Sequence, residues 1–335
     1  MKKTGKQTII FKNPPRIKGY YSVVSKKEGE GPLKEYFDAI IEDAKFGEET
    51  WEKAESKFVK TAIENAIKKA KISVMDVEYI FSGDLLNQCA GSSYGIREFG
   101  IPLFGLYGAC STMAESLSLA AIMIDGEYAK NTVAVTSSHF CSAERQFRFP
   151  LEYGGTRTAT SQWTVTGSGA VVLSREGDGP YIKSVTTGKI VDLGIKDANN
   201  MGAAMAPAAA DTIITHFKDT NKSFDDYDLV VTGDLGTLGN EILKDLLIKN
   251  GYSPKNKLTD CGILIYDLEK QDVHCGGSGC GCSASVLTSY LIPNIKNGTF
   301  SNILFIATGA LMSPTATQQG ETIPGIAHLV NISKD

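Results

Sequence analysis

Cys110 lies in the run Gly108-Ala109-Cys110-Ser111, between an apolar stretch that reads as a strand and one that reads as a helix. A thiol at a strand-to-helix turn meets unpaired backbone N–H groups and the positive end of the helix dipole, which stabilise a thiolate or a bound anion. The small neighbours let a ligand come close. The other reading is an inert buried cysteine, because free Cys is among the most buried residue types. A second cluster, His274, Cys275, Cys280 and Cys282, brings soft donors together and raises zinc. Its spacing is not that of a standard finger. The stretch 276–282 reads better as a glycine-rich turn entering a buried helix, so no metal site is expected.

The elements that must position these residues follow from periodicity. Residues 49–70 place Phe58, Ala62, Ala66 and Ala70 at spacings of four among lysines and glutamates, which predicts an amphipathic surface helix. Residues 77–82 read as a strand ending in Gly83-Asp84-Leu85, and a second buried run over 101–107 stops at Gly108. Residues 111–124 are apolar over most of a helical circumference and predict a buried helix; strands follow over 131–138 and 169–174. The second half repeats the order, with a helix around 208–217, a strand over 228–234, a helix around 238–250 and a strand over 262–266.

Details repeat as well. Thr232 to Gly236 echoes Ser82 to Leu86 at an offset of 150, and the stretch from Gly281 echoes that from Ala109 at an offset of 172, setting Cys110 on Cys282 and Gly126 on Gly298. Similarity at so long a period indicates a duplicated domain, with the two buried helices side by side about a pseudo-twofold axis. Alternating strands and helices with near-continuous apolar strands predict mainly parallel sheets covered on both faces, an α/β layered αβαβα sandwich. The halves are expected at 1–177 and 178–335, divided at Gly177-Asp178-Gly179-Pro180.

At 335 residues, with 42% apolar and 21% charged residues, the chain can bury a large core. A net charge of −4 gives no global basic field for nucleic acid. Lys2, Lys3, Lys6, Lys12, Arg16, Lys18, Lys26 and Lys27 nevertheless precede the first acid, Glu28. This arm is either a solvated terminus or an attraction to anionic lipid or an acidic partner. The chain start lacks the apolar stretch of a secretory signal, and no run approaches the ~20 residues that span a bilayer, so a soluble intracellular protein is expected. Seven cysteines, an odd number in a large chain, fit reduced thiols better than a disulfide framework.

The residues GACSTMAES from Gly108 and VTGSGAVVLS from Val165, with the duplicated halves, resemble the thiolase and β-ketoacyl synthase III superfamily. The resemblance implies an acylated cysteine served by a His and a His or Asn from the second half. This chain departs at both places: Gly233 or Asp234 stands at one and Cys280 at the other, with no His or Asn within two residues of either. Loss of a base and of an oxyanion donor costs factors of ~10²–10⁴ each, so the expectation is a pocket kept for binding and not an enzyme.

Four segments, over 136–170, 192–213, 230–236 and 274–286, are similar to the stage V sporulation protein AD family. That resemblance implies uptake of pyridine-2,6-dicarboxylic acid (dipicolinic acid) into the developing bacterial spore. It also implies membrane proteins of the same operon as partners and peripheral association with the spore inner membrane. Family analogy adds a homodimer through the first-half sheet. No cofactor is expected, with calcium accompanying bound dipicolinate left open.

A planar ring with two carboxylates needs cationic or N–H donors at two ends and a flat wall between. Residues 138–162 supply donors in His139, Arg145, Arg148, Arg157 and Gln162, and ring surfaces in Phe140, Phe147, Phe149 and Tyr153. Cys110 and Ser111 at the helix start would receive one carboxylate, and Asp234 and Cys280 complete the candidate pocket. The arginines have surface ion pairs with Glu144 and Glu152 as their alternative, and His139 a satisfied core position. For Asp84 and Asp234, helix capping is preferred over contact with the ligand or its calcium. Two readings compete with non-enzymatic dipicolinate binding: an active acyltransferase or thiolase using Cys110 with His139 as base, and a scaffold that holds membrane partners through its basic arm.

Overall fold

The computed structural model describes residues 2–147 and 157–334. Asn131–Ser138 and Asn302–Ala310 are buried along nearly their whole length, so each must run through the middle of a sheet with helices on both faces. That is where they lie. In the first half the strand order is Arg16–Ser25, Gly167–Ser174, Asn131–Ser138, Tyr79–Gly83, Leu103–Gly105; in the second it is Tyr181–Thr186, Gly325–Ser333, Asn302–Ala310, Leu229–Thr232, Leu258–Asp260. Position by position the halves match in order and in direction. A pairing of Tyr181 with Arg16 joins them into a thirteen-stranded sheet.

Helices make three layers around these strands. Trp51–Ala70 covers the outer face of the first half, packing Phe58, Ala62, Ile63 and Ala66 against Val23, Val133 and Ala170. Thr50 starts it by accepting the Lys53 N–H at 3.3 Å, and Lys71, left-handed at φ 55°, ends it. Met201–Thr220 and Gly236–Lys249 cover the outer face of the second half. Between the halves, Thr112–Asp125 and Cys280–Val286 pack into one core with Phe81, Leu173, Phe305 and Val330. Gly169 permits the approach: a Cβ there would stand 2.3 Å from the Ala284 carbonyl oxygen.

Several expectations need correction. The sheets are mixed, not mainly parallel: Tyr79–Gly83 runs parallel to both its neighbours, but Gly167–Ser174 is antiparallel to the strands on either side, and the second half copies this pattern. Continuous apolar runs report burial on both faces, which helix layers impose on either strand direction. Residues 262–266 are not a strand; Cys261–Ile265 is a short helix begun by Asp260, whose carboxylate accepts the Gly262 N–H at 2.9 Å, and the strand is Leu258–Asp260 just before it. A short apolar run cannot by itself distinguish these states. Leu103–Gly105 is an exposed edge strand and not a buried one, with Phe104 47% accessible. The N-terminal arm is no free tail: Lys2–Thr4 and Thr8–Ile10 form a hairpin whose second strand pairs with Tyr181–Thr186.

Candidate functional site

Cys110 occupies a tight turn, Ala109–Ser111, that leads directly into the buried helix Thr112–Asp125. Ala109 is left-handed at φ 49°, a conformation that costs a residue with a Cβ, and two side chains hold the turn. Ser111 donates its hydroxyl to Gly108 O at 2.6 Å and Thr112 donates to Ala109 O at 2.6 Å. Ser111 is thereby committed to the backbone.

Asp234, just beyond the end of Leu229–Thr232, lies near enough to Cys110 for its charge to act on the thiol. The carboxylate is fully buried and also accepts Thr308 Oγ1 at 2.7 Å, Ser278 Oγ at 3.2 Å and the Gly279 N–H at 2.9 Å. Gly279 sits at φ +100°, and a Cβ there would lie 2.6 Å from Ser138 Oγ, so only glycine delivers this N–H without strain. Asp234 thus binds the start of the helix Cys280–Val286 and not that of the helix that follows it in the chain. The N–H groups of Leu235 and Gly236 go instead to Asp260, at 2.8 and 3.0 Å.

Burial pushes the Cys110 thiol well above its ordinary value, the Asp234 carboxylate and the Cys280 sulfur push the same way, and the Gly279 N–H opposes them. Burial also raises the Asp234 carboxyl against its donors. The turn and helix start predict an activated thiolate; the surroundings keep the proton on sulfur.

Cys110 forms part of the wall of a cavity of about 540 Å³ between the two halves. Its lining mixes apolar residues, among them Leu86, Met201 and Met312, with Asp84, Glu144 and Gln146. Among the described residues on this wall there is no Lys, Arg or His. Asp84 uses its oxygens on the Leu86 N–H at 2.8 Å and the Ser92 N–H at 2.7 Å, fixing the loop after its strand, as a structural role predicts. Glu144 accepts Thr164 Oγ1 at 2.8 Å.

The remaining candidates, Cys280 excepted, bond elsewhere. His139 is buried, with Nε2 bonded to Ala44 O at 2.9 Å and Nδ1 accepting the Cys141 N–H at 3.2 Å; burial lowers its pKa, and it packs on Trp51. Arg145 is ion-paired with Glu52. Arg157 bonds Asp272, 2.6 Å to its carboxylate, and lies 4.8 Å over the Trp163 ring, whose other neighbours are Phe140, stacked at 3.8 Å, and Lys27. Gln162 donates to Asp234 O at 2.7 Å and Gly277 O at 2.8 Å, bracing the site from behind. Cys280 donates to Ser137 O at 2.9 Å behind the wall. Arg148, with Phe149, Glu152 and Tyr153, lies outside the described residues, as does the Phe147 side chain. The donor belt expected along 138–162 is thus spread over several separate contacts. His274 pairs with Asp272 and Cys275 donates to Ala159 O, each away from Cys280.

Sequence reading missed the buried carboxylates. Glu55, Asp260 and Glu28 are each 0% accessible. For Glu55 the signal was present: it lies one turn before Phe58 and Val59 on the apolar face of its helix. Glu28 and Asp260 carry no such periodicity.

Duplicated halves, a central pair of buried helices and a cysteine at the start of the first define a thiolase-like fold of the β-ketoacyl synthase III type. Solved structures agree. The 3-oxoacyl-[acyl-carrier-protein] synthase III of Aquifex aeolicus superposes with a TM-score of 0.58 at 15% identity, covering 95% of this chain and 99% of that one. An OleA variant of Xanthomonas campestris superposes with a TM-score of 0.61 at 12% identity, over 97% and 100% of the two chains. At such identities the likeness shows the fold alone. Residues 5–333 match the family described as Stage V sporulation protein AD. Stage V sporulation protein AD of Bacillus subtilis (strain 168) is 46% identical over 328 residues, 98% of this chain and 97% of its own. The chain belongs to the stage V sporulation protein AD family. Among the described residues no helix is long and apolar enough to cross a membrane.

Proposed function

We propose that this protein binds dipicolinate without turning it over and serves its uptake into the developing spore. The observation that carries the reading is the setting of Cys110: the cysteine of a thioester-type scaffold is buried beside the charge of a buried carboxylate, Asp234, and both raise its pKa and keep the proton on sulfur. A cavity of about 540 Å³ with a mixed apolar and polar lining has room for a single substituted ring. A dianion beside Asp84 and Glu144 needs positive charge. The ligand itself presents three chelating atoms, so calcium carried in by it is a natural companion; among the described residues no group of three His, Cys, Asp or Glu would hold the bare ion.

Membrane proteins of the same operon, at the inner membrane of the spore, are the proposed partners. A homodimer through the exposed edge strand Leu103–Gly105 is the proposed assembly, since Leu103 and Phe104 present apolar surface there.

Calorimetry with pyridine-2,6-dicarboxylate and its 3,4-isomer tests the binding. Heat with the first and none with the second supports the reading; equal binding or none defeats it. The competing acyltransferase reading draws on Cys110 lining the cavity of a condensing-enzyme fold. It requires a mass increase on Cys110 after incubation with acyl-CoA thioesters, and no adduct across several chain lengths removes it.

A further inference from the structure

Glu55 and Asp84 pose a charge problem next to the cavity. Glu55 projects from Trp51–Ala70 into the interior, where Ser137 and Ser142 donate to its two oxygens at 3.0 and 2.7 Å. Asp84 is on the cavity wall. The Gly91–Ser92 segment lies between them: Ser92 N–H binds Asp84 at 2.7 Å, while a Cβ on Gly91 would come within 3.1 Å of Glu55 Cδ. Neither carboxylate joins an ion pair among the described residues, and both are buried.

The surrounding titratable groups bring no positive charge to them. Cys280, across from both, is neutral and donates to Ser137 O, and Cys89 is a buried thiol on the cavity wall. His139, from the neighbouring strand end, has both nitrogens engaged and is held neutral by burial. Arg145 is occupied by Glu52, and Glu144 adds another acid to the wall. Two close buried carboxylates without a cation cannot both stay ionised cheaply.

We infer that Asp84, on the cavity wall, and Glu55, behind it, form a proton-storing pair, and that an anion entering the cavity loads a proton onto this pair, so that ligand binding is proton-coupled. The inference rests on the proposed anionic ligand. Burial and the Asp84 charge raise Glu55 to about 8, and burial raises Asp84 as well. A dianion at the wall adds to the repulsion and shifts the pair further towards its protonated form. Without calcium, that proton is the charge compensation the site itself supplies.

Calorimetry of pyridine-2,6-dicarboxylate with EDTA present, at pH 8.5 in two buffers of different ionisation enthalpy, counts the protons taken up. The expected result is uptake of a sizeable fraction of one proton and an affinity that falls between pH 7.5 and 9, by at most about tenfold per unit. Glu55→Gln should bring uptake close to zero and flatten the pH profile. Ser142→Ala, which removes a donor from the ionised form, should move the fall to higher pH. Binding without proton uptake, or uptake that survives Glu55→Gln, overturns the inference and leaves dipicolinate binding standing. Absence of any binding defeats the functional reading instead. In that case infrared difference spectra of ligand-free wild type and Glu55→Gln at pH 7 still decide: no carboxylic-acid band assignable to Glu55 refutes the stored proton.

Discussion

The Asp234 carboxylate lies near enough to the Cys110 thiol to raise its pKa, which sets a strand end of the second half against a turn of the first. It reverses what a helix start ordinarily does to a cysteine. The positive end of the dipole favours a thiolate; burial and the neighbouring Asp234 charge outweigh it.

Alkylation of Cys110 by iodoacetamide should therefore be slow at pH 7–8, well below the rate of an unperturbed thiol. Asp234→Asn removes the charge that opposes the thiolate and should raise the rate severalfold. The same change leaves one fewer acceptor for Thr308, Ser278 and Gly279, at about 1–3 kcal/mol of stability. Peptide mass spectrometry over time gives the rates, and chemical denaturation gives the cost.

His139→Gln tests whether that histidine serves the cysteine. Its ring nitrogens already bond Ala44 O and the Cys141 N–H, so the substitution should lower stability by about 1–3 kcal/mol while Cys110 alkylation is unchanged. A matching fall in the labelling rate would instead tie His139 to the thiol.

Gly169→Ala should destabilise the centre of the molecule. The new methyl would press on the Ala284 backbone, at 2.3 Å from its oxygen, where no side chain can swing aside. A loss of about 1–3 kcal/mol is expected from urea unfolding, with secondary structure retained at low denaturant.

Stability should depend on pH in a direction set by the buried acids. Burial raises Glu28 and Asp260 to about 7 and Glu55 to about 8, above their unfolded values, so the folded state holds protons that the unfolded chain has lost. Their contribution is largest at low pH and disappears as pH rises through 7 and 8. His216 and His328, lowered to about 4 by burial, work oppositely: the unfolded chain takes up protons below about 6.5 and folding loses ground there. Melting temperature should rise as pH drops from 8.5 to 6.5 and then level off. A melting temperature that climbs steadily from pH 6.5 to 8.5 contradicts this account.

Much of the architecture was legible in one dimension. The repeat of Cys110 at Cys282 and of Asp84 at Asp234 disclosed the duplication, and the apolar circumference of Thr112–Asp125 marked a central helix. Strand direction was not legible, because Gly167–Ser174, antiparallel to both its neighbours, is as buried as Tyr79–Gly83, which is parallel to both of its own. Nor was Cys261–Ile265, where the capping carboxylate of Asp260 overrides an apolar run that suits a strand equally well.

The cysteine, its turn and the missing imidazole partners were properties of the sequence alone, because they depend on residue type and local spacing. Which groups surround that sulfur was decided only by folding. Asp234 and Cys280 come from the second half, and Arg145, Arg157 and His139 turn to Glu52, Asp272 and Ala44. A buried charge takes whatever partner the packing brings within a few ångströms, and that proximity is written in three dimensions and not in the order of the chain.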